Sequence, residues 1–274
     1  MQAGSGAIAK TKGRVPDPET GGMNVIAYAF YRSPSSEYER ADCSSATRGN
    51  FFRGYIRPLV RAHHSVWPDW ALWIYHDDRV REFSEFALLE RYDKAGLIRL
   101  IPAGEAPSLT GAMTWRLLPA FDPNVDLLLC RDLDSLPQPR ERVAVERWIA
   151  SGKPISGLHD STSHYGTALL GGMCGFRCEW LRRRMTNESM RIAMEASGID
   201  FDQKGGDQHF LNAIFHGDDI LNEWVDPAAG PWDRDRNFCE GWARCVGGAY
   251  PGAEHVARWF DKHYPDTRIM EAER

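Results

Sequence analysis

Two carboxylates one residue apart, Asp132 and Asp134, close the apolar run 127–130, Leu-Leu-Leu-Cys. Four apolar residues in a row read as a short buried strand. Side chains alternate along a strand, so the spacing puts both acids on one face at its carboxyl end. Paired carboxylate oxygens suit a hard divalent cation, Mg²⁺ or Mn²⁺, and such a cation neutralises a diphosphate. The chemistry to expect is therefore the handling of a nucleotide-linked substrate. On the pair alone, a solvated turn carrying two acids stays open as the alternative.

Other spacings carry further expectations. Arg53, Arg57 and Arg61 recur at i, i+4 and i+8 on an expected helix, which makes either a solvated face or a stripe facing phosphate. Leu169 to Phe176 combines an apolar strand with Gly171, Gly172 and Gly175, and glycines there let a ligand or another backbone come close.

The elements that must position these residues alternate. Strands are expected over 24–31, 71–75, 98–101 and 126–130, and helices over 51–63, 81–95 (closed by Gly96) and 111–121. Such β-α-β alternation implies a mostly parallel sheet flanked by helices, with ligands beyond the carboxyl ends of its strands, where Asp132 and Asp134 fall. Further on, helices are expected over 142–150 and 180–196, with the glycine-bearing strand between them. Beyond Phe215 the chain is rich in Trp, Gly, Pro and Asp, so long loops are expected. Residues 223–257, with Trp232, Trp242 and nearby Trp259, are expected to cover the site.

Composition sets the frame. The chain has 274 residues, 43% of them hydrophobic, enough for a sizeable core in one α/β domain. A net charge of −5 argues against a general nucleic-acid surface. No apolar run reaches the length of a membrane span, and no leader pattern opens the chain. Residues 1–22 are expected as a flexible tail, 23–265 as the domain, and 266–274 as a C-terminal tail. Cys43, Cys130, Cys174, Cys178, Cys239 and Cys245 lack the Cys-x-x-Cys pairing of a zinc site, so reduced thiols and a cytoplasmic setting are expected.

Arg131 to Ser135, Pro139 to Trp148, His159-Asp160 with His164, and Leu170 to Gly175 together resemble a group of bacterial and viral glycosyltransferases of the GT-A fold, which carry an Asp-x-Asp motif. Gly205 to Phe215 is similar to the Gly-Gly-Asp-Gln segment of glycogenin-like retaining enzymes, although Lys204 stands where that pattern has an acid. The similarity covers roughly residues 24 to 215. It implies a GT-A type, Rossmann-like, mostly parallel sheet flanked by helices, with a loop-rich C-terminal part. It also implies transfer of a sugar from a UDP- or GDP-linked donor to a glycan or other acceptor, with retention.

The resemblance assigns residues as well. It implies that Asp132 and Asp134 hold Mn²⁺ or Mg²⁺; many enzymes of this fold add a C-terminal histidine, and although the usual His-x-x-Gly-x-x-Lys-Pro signature is absent, His255 and His263 are the candidates with His216 behind them, water ligands being the alternative. It puts Ala29, Tyr31, Arg32, Arg116, Arg131, Asp132, Leu133, Gly171 and Gly172 along the donor. Asp207, Asp160 and Gln208 fall nearest the transferred sugar. For Asp207, helix capping is the competing role, because Gly-Gly-Asp is also a good helix start.

Two other classes use similar parts. A nucleotidyltransferase acting on sugar phosphates would share the metal and the sheet, but no Gly-rich loop followed by Lys lies near the first strand. A non-catalytic carbohydrate-binding protein could use some of the 10 tryptophans as stacking faces.

Overall fold

The structure, a computed structural model, describes residues 21–32, 47–83, 86–108, 110–133, 135–159, 166–224, 262 and 265–274, with backbone alone for 47–55 and 224. Seven strands form one sheet: β1 (Met23–Phe30), β2 (Ala71–Asp77), β3 (Arg99–Gly104), β4 (Val125–Arg131), β5 (Ile155–His159), β6 (Met173–Arg177) and β7 (Ile220–Trp224). Their order is β3-β2-β1-β4-β6-β5-β7. Neighbours run parallel except where β6 pairs antiparallel with β4 and β5. The α/β arrangement expected from the sequence, a mostly parallel sheet flanked by helices, is the one found.

Alternation along the central strands sorts side chains into two layers. Ile26, Tyr28 and Phe30 of β1 and Leu127 and Leu129 of β4 enter one apolar cluster, while Val25, Ala27, Leu128 and Cys130 enter the other. Strands buried on both faces need helices on both sides. On the first side lie α1 (Thr47–Val66), α2 (Phe86–Lys94) and α3 (Pro139–Ser151), contributing Leu59, Leu89 and Trp148. On the second lie the segment Gly111–Phe121, α4 (Cys178–Arg182), α5 (Asn187–Ala196) and α6 (Gly206–Ile214), contributing Leu117, Leu181, Met190 and Phe210.

Several elements depart from expectation for local reasons. Residues 111–121 are a 3₁₀ helix, not an α-helix. Gly111, Thr114, Leu117 and Ala120 are all buried, as a repeat of three per turn requires, and Pro119 has no N–H for an α-helical bond. The helix expected over 180–196 is two helices, because Thr186 and Ser189 exchange side-chain and backbone bonds of 2.8 and 3.1 Å and start a new one. The stretch expected as one helix over 81–95 is a 3₁₀ turn, Asp78–Glu82, followed by α2. The glycine-bearing strand is shorter than expected, with 169–172 forming a turn before β6. β5 and β7, five residues each, lacked a readable pattern.

The residues expected as a C-terminal tail hold a helix, α7 (Thr267–Ala272), whose Ile269 is buried in the first cluster. Next to it Glu273 accepts from Arg61 Nη2 at 2.6 Å and Arg57 Nη2 at 2.8 Å, and also pairs with Arg61 Nη1 and the Tyr92 hydroxyl. Burial opposes charge on Glu273, but these donors outweigh it and hold its carboxyl down at about 2. Arg57 and Arg61 of the stripe therefore serve an acid of their own chain, while the Arg53 side chain lies outside the described residues. Among the described residues no helix is long and apolar enough to cross a membrane.

Candidate functional site

β4 delivers Asp132 one residue past its end, on the same face as Leu128 and Cys130 by alternation. The 3₁₀ helix Gly111–Phe121 packs on that face and points Arg116 at it. Arg116 is 3% exposed. Its Nε donates to the Met113 carbonyl at 2.9 Å, which fixes the guanidinium plane. Its Nη1 then pairs with Asp132 Oδ1, and its Nη2 donates to Asp207 Oδ2 at 2.8 Å. One guanidinium thus joins the two acidic motifs that the sequence singled out separately.

Asp207 enters from the first turn of α6. Gly205, at φ 86, occupies the left-handed region that opens this helix. Gly206 sits against Thr110 Oγ1 and the Asp200 carbonyl, where a Cβ would come within 2.6 and 2.8 Å. Thr110 in turn donates through Oγ1 to the Phe201 carbonyl at 2.8 Å, and its N–H reaches the same carbonyl at 2.7 Å. These contacts lock the start of the Arg116 helix onto the start of α6. The two glycines have structural reasons of their own, and the Asp207 side chain is spent on Arg116, through Oδ2. Its other oxygen, Oδ1, is buried and without a partner.

Electrostatics follow from this packing. Burial pushes the Asp207 carboxyl above its usual range; Arg116 pulls it back only in part, and Asp132 adds to the rise. Burial also works against charge on Arg116, but Asp132 and Asp207 together raise its pKa and keep it a cation. The Asp132 side chain is 39% exposed, against 4% for Asp207, so the pair has a wet end and a dry end.

Gly171 and Gly172 lie between the two acids. A Cβ on Gly171 would collide with Oδ2 of Asp207, and one on Gly172 with the Asp132 carboxylate. The turn that carries them is held to α6 by Asn212, whose side chain accepts from Leu169 N at 3.0 Å and donates to Leu169 O at 2.8 Å and to Gln208 O at 2.7 Å. Asn212, Thr110 and Glu141 (treated below) were not anticipated. The signal for Asn212 was its position four residues after Gln208, one helical turn on.

The remaining candidates divide. Gln208 is half-buried at the start of α6, and Ala29 is half-buried on the Ala27 face of β1, beside the site. The Tyr31 ring meets Trp115 edge-on, with centroids 6.3 Å apart, so it is part of the wall. Arg32 is largely exposed and lies 3.5 Å from Glu82. Arg131 and Leu133 turn to the opposite face: Leu133 is buried in the first cluster, and Arg131 pairs with Glu141. Neither faces Asp207 or Arg116. Asp134, Asp160, His164, His255, His263 and the cover expected over 223–257, beyond Trp224, lie outside the described residues, and His216 is exposed.

At the wet end one oxygen of Asp132 is paired with Arg116 and the other is of the hard kind that Mg²⁺ or Mn²⁺ takes. Asp132 offers carboxylate oxygen, and Gly172 leaves it uncovered by a side chain. Among the described residues no three His, Cys, Asp or Glu side chains gather, so Asp132 is the described member of the expected metal set.

No family model matches the chain, and no curated protein matches it. Solved structures do resemble it distantly. The glycosyltransferase GlyE of Streptococcus pneumoniae TIGR4 aligns at 15% identity and TM-score 0.45, over 74% of this chain and 45% of its own length. The 4-diphosphocytidyl-2C-methyl-D-erythritol synthase of Anaerococcus prevotii DSM 20548 aligns at 12% identity and TM-score 0.45, over 79% of this chain and 94% of its own. The mannosyltransferase PcManGT of Pyrobaculum calidifontis, in complex with GDP-Man and Mn²⁺, aligns at 12% identity and TM-score 0.40, over 96% and 77%. The chain thus spans less than half the length of GlyE. Likenesses this distant carry no weight for activity, and the fold class rests on the sheet topology.

Proposed function

We propose that this chain is a glycosyltransferase that moves a sugar from a UDP- or GDP-linked donor to a glycan or other acceptor, assisted by Mn²⁺ or Mg²⁺. The observation that carries this reading is the Asp132–Arg116–Asp207 bridge, which sets a wet carboxylate suited to a cation beside a dry carboxylate with a free oxygen. A sugar diphosphate has two complementary ends, an anion for the cation and hydroxyls that donate to a carboxylate.

In this reading Asp132, with Asp134, would hold the cation at the diphosphate. A divalent cation, when bound, steadies the charge that grows on the departing diphosphate. Arg116 keeps two carboxylates from repelling each other and fixes their separation. Asp207 Oδ1, buried without a side-chain partner, would take a hydrogen bond from a sugar hydroxyl that entered beside it. Gly171 and Gly172 let the two carboxylates lie against the backbone of the turn, which fixes them beside the donor. Gln208 lies beside the anomeric centre, and retention follows the resemblance of residues 205–215. The buried, free thiols of Cys130, Cys174 and Cys178 agree with a reducing, cytoplasmic setting.

The test is a panel of UDP- and GDP-sugars incubated with the protein, with and without Mn²⁺. Metal-dependent release of UDP or GDP is expected, and NMR of the anomeric proton then gives the stereochemistry. No release from any donor, with pyrophosphate formed from a nucleoside triphosphate and a sugar phosphate instead, would overturn it.

A further inference from the structure

Arg131 is 3% exposed and Glu141 2%, and they meet behind the site, on the α3 side of the sheet. Arg131 Nε donates to Glu141 Oε1 at 2.5 Å. Its Nη1 donates to the carbonyls of Cys130, at 2.7 Å, and of Cys174, at 3.0 Å, so it also spans the β4–β6 junction. The second oxygen of Glu141 accepts from the N–H of Gln138 at 3.4 Å and closes the capping box that starts α3.

The loop bearing Asp132 leaves β4 at Arg131 and reaches α3 at Gln138. Both of its ends are therefore tied to one buried ion pair. We propose that the Arg131–Glu141 pair is a positioning device that ties both ends of the loop 132–138 and so sets where Asp132 stands for the cation of the proposed transfer reaction. A single guanidinium bonded to a strand, to its neighbour and to a helix start leaves that loop little freedom at either end. Arg131 Nη2 and the hydroxyls of Tyr28 and Ser135 are buried without partners, so these groups provide no substitute bond. The pair also matters by sign. Arg131 adjoins a site that takes a cation, and Glu141 cancels its charge; Glu141→Gln would leave a buried positive charge next to Asp132.

The test uses Glu141→Gln and the double variant Arg131→Met with Glu141→Met, which replaces the pair with apolar side chains of similar length and so guards against simple unfolding. Hydrogen exchange of loop 132–138 is expected to speed up at least tenfold in both, with β1 and β2 unchanged. Mn²⁺ binding in the presence of UDP or GDP is expected to weaken about tenfold in Glu141→Gln. Loop exchange at the wild-type rate in both folded variants would overturn the proposal. The inference rests on the transferase reading only for its metal: should the wild-type protein take up no Mn²⁺ with either nucleotide, that reading fails, and the exchange comparison still decides whether the pair holds the loop.

Discussion

Arg116 is the residue on which the acidic motifs depend, and its geometry makes the substitutions at this point informative. Lysine keeps the charge but presents one compact ammonium and cannot hold two carboxylates in a planar fork. Arg116→Lys should therefore weaken transfer by about a hundredfold, a loss of about 2.7 kcal/mol, while the chain stays folded by far-ultraviolet circular dichroism. Asp207→Asn asks a narrower question, since it keeps volume and removes charge. Transfer should fall by roughly a hundred to a thousandfold, with UDP or GDP affinity changed no more than about threefold. Equal losses in nucleotide binding and in transfer would argue that Asp207 merely braces Arg116. A melting measurement belongs beside the kinetics, because removing one partner from a buried pair costs about 3–5 kcal/mol.

At the scale of elements, the site is a meeting of three starts and ends: the end of β4, the start of α6 and the turn before β6. Gly172 shows how tightly they meet. Gly172→Ala puts a methyl into the Asp132 carboxylate, so Mn²⁺-dependent donor binding should weaken at least tenfold while melting shifts by only a few degrees. Unchanged metal-dependent binding would remove Asp132 from the metal set. Much of this was legible in the sequence. The Leu127–Cys130 run gave its strand because four apolar residues before a polar break leave few alternatives, and the glycines of 169–176 marked close approach. The long-range partners were not legible. Nothing in Arg131 as a letter says that it turns away from its neighbour Asp132; that follows from the pleat, once the apolar residues of β4 have been assigned to their two layers. The antiparallel insertion of β6 between β4 and β5 was equally hidden, because five-residue strands carry no period that distinguishes direction. The 3₁₀ form of 111–121 could have been suspected from Pro119.

For the whole molecule, acid sensitivity follows from two groups far from the site. His63 is buried and donates through Nε2 to the Trp70 carbonyl at 2.8 Å, and burial pushes it down to about 3 from an ordinary 6.5. The unfolded chain binds that proton below about 6.5 and the folded chain does not, so stability falls as pH drops from there toward 3. Glu273, held at about 2 against an ordinary 4.5, adds stability above 4.5 that is lost between 4.5 and 2. Urea midpoints measured from pH 7 to 3 should decline across both windows, and Glu273→Gln should flatten the lower one. A wild-type slope retained in that variant below pH 4.5 would dismiss the clamp.

The same clamp has a temporal consequence. Arg61 and Glu273 are 212 positions apart, so α1 is made, and can begin to pack on β1 and β2, long before its acidic partner exists. Closing that much chain costs entropy that local pairs avoid, so α7 is expected to dock late in refolding as well. Contacts that arrive this late lie on the native side of the folding barrier, so they govern how long the molecule stays folded, not how fast it gets there. Glu273→Gln should accordingly speed unfolding several-fold in stopped-flow denaturant jumps and leave the refolding rate nearly unchanged.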